Sequence, residues 1–249
     1  VISAGDPSCN TSPNEADQRH LGPMLHLPIL DPSTPAEAHA MTRAAFELSE
    51  TSRLPVLIRT TTRVAHSRGP VELGPVRPRQ VGGFVRNPAR YVPVPANARR
   101  MRLELKERVE IARAWMAKSG FFRIQGQSPD VVLASGAPAA TSADLLELAG
   151  ATDRIALWRL GTVHPLPEAE LVAALRGVER VLVVEELSPF LENALLALSA
   201  RHGLSLKILG KHSGHLPEEF EYSAEVIQRA LFEVFQIGEL PRKKPALPV

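Results

Sequence analysis

Cysteine is almost absent: Cys9 is the only one in 249 residues. That excludes an internal disulfide and any iron-sulfur cluster bound solely by cysteines of this chain. Charge of one sign is lacking too, since 29 Lys and Arg against 27 Asp and Glu leave a net charge of +2. So small a balance does not imply a nucleic-acid partner, which needs many basic groups gathered on one face. The two local basic runs, Arg99-Arg100 with Arg102 and Arg242-Lys243-Lys244, read as solvated surface or subunit contacts. No apolar run reaches the length of a bilayer span, and Val1 to Asp6 has no basic stretch followed by an apolar one. Neither a membrane partner nor a secretory signal is predicted, and cytoplasm is the default expectation. A P-loop, a Rossmann glycine fingerprint, a Cys/His metal spacing and a serine nucleophile elbow are all missing, so no metal ligand is assigned within the chain.

What is present is 44% apolar and 22% charged residues, the composition of a globular chain with one sizeable core or two smaller ones, at ~100 to 200 residues per domain. Val1 to Ala4 reads as the last part of a buried strand, as if cut within a domain. A polar stretch with Pro7, Asn10, Pro13 and Asn14 then reads as a long loop, a length that compact α/β proteins reserve for sites. At Thr34-Pro35-Ala36-Glu37 a capping Thr, a Pro at the first helical position and a Glu completing a capping box predict a helix start. Ala38, Met41, Ala45 and Leu48 continue it as one apolar stripe, and Pro55 to Ile58 predicts a buried strand.

From Ser67 to Arg100 six prolines force extended or turn geometry. Helical spacing returns at Met101 to Lys118. Beyond it, strands are predicted at 131–133, 155–160, 181–184 and 206–209, with helices at 139–149, 167–176, 189–202 and 224–234. Repeated β-α units with near-continuous apolar strands predict a parallel sheet covered on both faces. The expected organisation is therefore α/β: residues 1–66 as the end of one domain, 67–118 as linker and connecting helix, 119–240 as a second α/β domain, and 241–249 as a tail.

Three segments carry a resemblance. Gly5-Asp6-Pro7-Ser8 with Ser12, Asn14-Glu15, Asp17 and Arg19 resembles a loop of the indolepyruvate ferredoxin oxidoreductase alpha subunits. Leu54 to Ser67, reading LPVLIRTTTRVAHS, resembles that family's next segment almost residue for residue, and Arg90 to Arg100 resembles a third. Gly161 to Pro167 and Val183 to Glu186 also look familial. The resemblance implies the end of a thiamine-diphosphate pyrimidine-binding domain followed by a transketolase-C-like parallel-sheet domain. It also implies oxidative decarboxylation of an aryl 2-oxoacid to its acyl-coenzyme A, with electrons passing to ferredoxin. Thiamine diphosphate with Mg²⁺ would be shared with segments not present here, the glutamate that holds the aminopyrimidine lying before Val1 and the diphosphate domain and iron-sulfur clusters after Val249. The chain alone is expected to be inactive. Implied partners are a beta subunit, ferredoxin and a second alpha subunit, besides the 2-oxoacid and coenzyme A.

The loop departs from the family pattern at Asn10, Pro13 and Ala16, where the family has His, Gln and Gln. An amide at position 10 cannot titrate in the working range. Either the substrate differs or the chain has drifted from catalysis, and a noncatalytic assembly or regulatory relative is one alternative. The beta chain of a 2-oxoacid dehydrogenase E1 component, which passes an acyl group to lipoamide, is another.

No residue is singled out as the catalytic group. Asn10, Ser12, Asn14, Glu15, Asp17 and Arg19 are candidates to face substrate and cofactor, against a loop held by its own turns and one Asp-Arg pair. Arg59 and Arg63 suit a 2-oxoacid carboxylate at the carboxyl end of a parallel strand, against pairing with an acid across an interface. His66 is a candidate cofactor contact or a structural group, and His164 reads as a loop former. Glu185 and Glu186 are candidates for a subunit interface or a helix N-terminal charge.

Overall fold

The computed structural model describes residues 1–13, 15–75 and 82–237. The expected tail at 241–249, the candidate Asn14 and part of the proline-rich linker lie outside the described residues.

Two sheets make the frame. The first has β1 (Ile2–Gly5), β2 (Ile29–Leu30), β3 (Leu57–Thr61) and β7 (Thr162–His164) in the order β1-β3-β2-β7. The second joins β4 (Phe122–Arg123), β5 (Asp130–Ala134), β6 (Ala156–Leu160), β8 (Arg180–Val184) and β9 (Lys207–Leu209) in the order β4-β6-β5-β8-β9. Pairing is parallel except for β2 with β7 and β4 with β6. A strand from the second half thus completes the sheet of the first. It follows β6 across a single residue, Gly161, whose N–H donates to Phe121 O and whose carbonyl accepts from Asp31 N, both at 2.9 Å. A Cβ there would overlap Met41 and stand 3.2 Å from the Phe121 carbonyl, so the crossing needs glycine.

Alternation along the strands sorts the core. Val131, Leu133, Val181 and Val183 pack with Ile29 and Leu57 of the first sheet and with α7 (Glu168–Leu175) and α8 (Phe190–His202). Val132, Ala134, Leu182 and Val184 face the other way, onto α6 (Ala137–Leu148) and α9 (Ala224–Phe235). Leu30 and Ile58 meet Met41, Leu48, Ala112 and Met116 of α2 (Pro35–Ser52) and α5 (Pro95–Lys118). One core is therefore shared by both sheets.

The helix signals at Thr34 and Ser223 are observed: Thr34 Oγ1 accepts from Glu37 N at 3.2 Å and Ser223 Oγ from Val226 N at 3.4 Å. Glu37, however, reaches back to Ser33 N at 2.9 Å rather than to Thr34. Its other oxygen receives Arg123 and Arg159, at 3.1 and 3.0 Å, from β4 and β6. Four expectations shift. The first strand is not buried but an edge, with Ile2 68% exposed. The long helix starts at Pro95, six residues earlier than its apolar spacing begins, because Pro fits the first turn. His164 lies in β7, not in a loop, and the short helices α3 (Thr62–His66) and α4 (Pro88–Tyr91) carry no periodicity to read. Another short helix, α1 (Leu21–Leu25), precedes β2. No helix among the described residues is long and apolar enough to cross a membrane.

Candidate functional site at the carboxyl ends of the sheets

In the second sheet the chain leaves β5 for β6 on one side and later fills β8 and β9 on the other, so the strand order reverses between β5 and β8. Open parallel sheets bind ligands outside the carboxyl ends of the strands at such a point. Here that place is made by Ser135-Gly136 after β5 and Glu185-Glu186 after β8, and two arginines from the first half plug it.

Arg19 is fully buried. Its guanidinium donates to both Asp17 oxygens at 2.8 and 2.6 Å, to Glu185 Oε2, and to the carbonyls of Glu186 and Ser188 at 2.6 and 2.9 Å. Burial opposes its charge, but Glu185 and then Asp17 outweigh that and raise its pKa above the usual arginine value. Burial likewise pushes the Asp17 carboxyl up, and the hydrogen bonds and charge of Arg19 overcome it, holding it at about 2. Glu185 also accepts from Leu191 N and Glu192 N, both at 2.9 Å, so one carboxylate pairs Arg19 and caps α8.

The network continues behind β8. Glu192, buried in the first turn of α8, accepts from Lys211 N at 2.8 Å, and Lys211 Nζ donates to Glu185 O and lies 5.1 Å from the Tyr222 ring centroid. Burial lowers the Lys211 pKa to about 8. Asp31, Glu192 and Lys211 carry no motif. Their positions, directly after β2, in the opening turn of α8 and just past β9, were the only sequence signal.

Arg59 is the third residue of β3 and 2% exposed. Its Nη1 donates to both oxygens of Asp31 at 3.2 Å, beside Gly136, whose φ of +60° only glycine adopts readily. Burial raises the Asp31 pKa against the pull of Arg59 and Arg19. Glu186 accepts from Tyr222 N at 3.0 Å through one oxygen, while the other is buried without a hydrogen-bond partner, as are Arg59 Nε and Nη2. Burial raises the Glu186 pKa too, which favours its protonated form.

Above this buried layer is an open mouth. Asp6 Oδ2 accepts from the backbone and hydroxyl of Thr11 and from Ser12 N at 2.8 Å, and these bonds, that from Thr11 N first, hold its pKa well below the usual carboxylate range. Thr62 Oγ1 donates to Gly5 O at 3.2 Å, joining the loop to α3. Arg63 reaches Glu221 at 3.4 Å, and Glu221 N donates to Ser8 Oγ at 2.9 Å. A pocket of about 250 Å³ opens here, lined by Glu15, Asp17, Leu187, Ser188, Glu218 and Glu219 among others.

The backbone is strained at the same place. Among the described non-glycine residues with positive φ, His26, Arg53 and Gln236 are helix C-caps, a common left-handed position. The others, Cys9, Leu187 and Phe220, all lie on the loops around the mouth. Strain of this kind persists where surrounding structure enforces it, often at functional sites.

The expected site residues therefore separate into two layers. Arg19, Arg59, Glu185 and Glu186 are buried in the seam with the Asp17 side chain; Asn10, Glu15 and His66 are exposed, and Ser12 and Arg63 partly so. Glu185 and Glu186 sit between the two halves of one chain. Among the described residues no group of three or more His, Cys, Asp or Glu is placed to hold a metal ion. Arg19 and Lys211 are turned on acids and carbonyls of the chain and Arg59 Nη1 on Asp31, while Arg59 Nε and Nη2 are buried without a hydrogen-bond partner; these residues do not by themselves form a cradle for Mg²⁺ or a diphosphate.

No family model matches the chain. It is similar to indolepyruvate oxidoreductase subunit IorA of Methanothermobacter marburgensis, 39% identical over 99% of this chain and 42% of the relative. The same subunit of Methanothermobacter thermautotrophicus is 40% identical with equal coverage, and that of Archaeoglobus fulgidus 30% identical over 95% of this chain and 37% of its own. The chain thus spans about two fifths of the length of the curated relatives it matches. Among solved structures, a split-gene transketolase described as an inactive beta4 tetramer has a TM-score of 0.52 at 12% identity, over 95% of this chain and 66% of that one. The 2-oxoglutarate:ferredoxin oxidoreductase from Magnetococcus marinus, with 2-oxoglutarate, coenzyme A and succinyl-CoA bound, has a TM-score of 0.53 at 13% identity, over 83% and 42%. At these identities the likeness is one of fold.

Proposed function

The chain belongs to the indolepyruvate oxidoreductase subunit IorA family, and on that premise we propose that it is one component of an enzyme that oxidatively decarboxylates aryl 2-oxoacids such as indolepyruvate. In this reading coenzyme A receives the acyl group and ferredoxin the electrons. Thiamine diphosphate and Mg²⁺ are the cofactors, held mostly by parts of the complex other than the residues described here, as are the iron-sulfur clusters. A beta subunit and a second alpha subunit are the protein partners, and the isolated chain is inactive.

One observation supports this most: the loop Gly5 to Arg19 and the segment Arg59 to His66 stand side by side, Gly5 paired with Thr61, at the carboxyl ends of parallel strands. The buried layer beneath fixes their positions, and Glu15 and the partly exposed Arg63 are the groups they present to a ligand. Arg63 suits the substrate carboxylate better than Arg59, because its side chain is 34% exposed against 2% for Arg59.

The test is reconstitution. Adding the missing segments and a partner subunit restores indolepyruvate-dependent dye reduction if the reading is right. Folded complexes that remain silent with indolepyruvate and other aryl 2-oxoacids refute it, and acyl transfer to lipoamide instead would assign the chain to an E1 component.

A further inference from the structure

We propose that Glu186 is a positioning residue for the reaction: held as a neutral acid under Arg63, it couples binding of the 2-oxoacid carboxylate to one buried proton. This rests on the reading of Arg63 as the carboxylate contact. One of its tests uses the chain alone without catalysis, so its failure and failure of the proposed activity are distinguishable.

Glu186 lies just past β8 and is 3% exposed. One of its oxygens accepts from Tyr222 N at 3.0 Å, and the other is buried with no hydrogen-bond partner. The surrounding cations are turned on other groups. Arg19 pairs with Asp17 and Glu185, Lys211 donates to the Glu185 carbonyl, Arg63 pairs with Glu221, and Arg59 Nη1 pairs with Asp31. The free edge of Arg59, Nε and Nη2, makes no hydrogen bond to Glu186 either. An ionised carboxylate in that position would be a buried charge with one hydrogen bond and no ion pair, whereas a neutral acid escapes most of that cost. Burial is the largest influence on its pKa and raises it, against the Tyr222 hydrogen bond and the charges of Arg59 and Arg63.

The link to the ligand runs through two adjacent residues. Tyr222, which donates to Glu186, follows Glu221, which pairs with Arg63 at 3.4 Å. The end of β8, α3 and the loop before α9 thus meet at one point. There the charge of Arg63 favours an ionised Glu186, and that of Glu221 opposes it. A substrate carboxylate that takes Arg63 neutralises the first influence and releases the second. Both changes favour the proton on Glu186. Linkage makes the effect reciprocal, so the protonated acid tightens the ligand and loss of the proton loosens it. Lys211, which faces Tyr222 and is held between Glu185 and Glu192, has a pKa of about 8 and titrates in the same range. The test must therefore separate the two.

In the reconstituted enzyme the KM for indolepyruvate is expected to rise about 10-fold between pH 6 and 9, a common size for coupling between two sites, with a smaller change in kcat. Glu186→Gln, neutral at every pH, is expected to lose that rise. A flat wild-type profile, or a rise that survives in Glu186→Gln and disappears in Lys211→Arg, would overturn the proposal. Urea unfolding of the chain alone supplies the second readout. Folding raises the Glu186 pKa above its usual 4.5, so its contribution to stability falls as pH rises toward the folded value, while a glutamine contributes equally throughout. Glu186→Gln is therefore expected to unfold at higher urea than the wild type, by a margin that grows from pH 5 to pH 8. The comparison at each pH cancels other titrations, that of His164 included. A lower midpoint for Glu186→Gln would mean an ionised and paired carboxylate, and the proposal would fall whether or not the enzyme is active.

Discussion

Arg19 and Glu185 are 166 positions apart in the chain and meet as a buried ion pair, the first in the loop after β1 and the second at the end of β8. Removing either leaves an uncompensated charge in the seam. Arg19→Met or Glu185→Leu alone should therefore destabilise the fold by ~3–5 kcal/mol. The double variant should recover part of that loss, the remainder reflecting the α8 cap and Asp17. Urea unfolding of all four proteins reads this, and additive losses would show that the pair is not coupled.

Gly161 carries the chain from one sheet to the other where a side chain has no room. Gly161→Ala should lower stability by ~1–3 kcal/mol, the range for overpacking a filled core. Met41→Val in the same protein should return some of it by withdrawing the overlapping methyl group. Unchanged urea midpoints would mean that the crossing is looser than described.

His164 should make stability pH-dependent. Burial first, and then the charges of Arg113 and His26, lower its pKa from 6.5 to about 4. The unfolded chain thus binds more protons between these values, so the neutral ring's contribution is complete above pH 6.5, declines as pH falls through the window, and is gone below about 4. Urea midpoints at pH 7.5 and 5 should differ, and His164→Gln should narrow the gap. An unaltered gap would place the dependence elsewhere.

Arg59 and Arg63 should respond differently. Arg59→Met strands the buried Asp31 and should cost ~3–5 kcal/mol of stability. Arg63→Gln breaks a partly exposed pair and should cost less than ~1 kcal/mol, while raising the KM for indolepyruvate in the reconstituted enzyme by about 10- to 100-fold with a smaller change in kcat. Equal kinetic effects of both would refute the division into a buried positioning layer and an exposed binding layer.

Legibility in the sequence followed the range of the forces. α2 was readable because its cap, Pro35, Glu37 and apolar stripe are local, and β5 and β8 because four consecutive apolar residues are buried on both faces of a sheet. β4 and β7 were not, since two or three residues show no period and owe their strand form to partners far away in the chain. The two family-like segments, Gly5 to Arg19 and Leu54 to Ser67, are brought side by side by the pairing of β1 with β3, which no local pattern in either announces. The partners of their arginines, Asp31 and Glu185, follow from tertiary packing alone. Arg59 reads in sequence like a ligand arginine at a strand end; its burial inside β3 depends on Asp31 and Gly136, which nothing local announces.

Hydrogen exchange on the reconstituted complex, with and without thiamine diphosphate, Mg²⁺ and indolepyruvate, tests the central claim most directly. Amides of the loop at residues 6–13, of α3 and of residues 217–222 should gain protection together, because they border one mouth. Protection confined to other parts of the chain, or to one of these stretches without the others, would contradict the account.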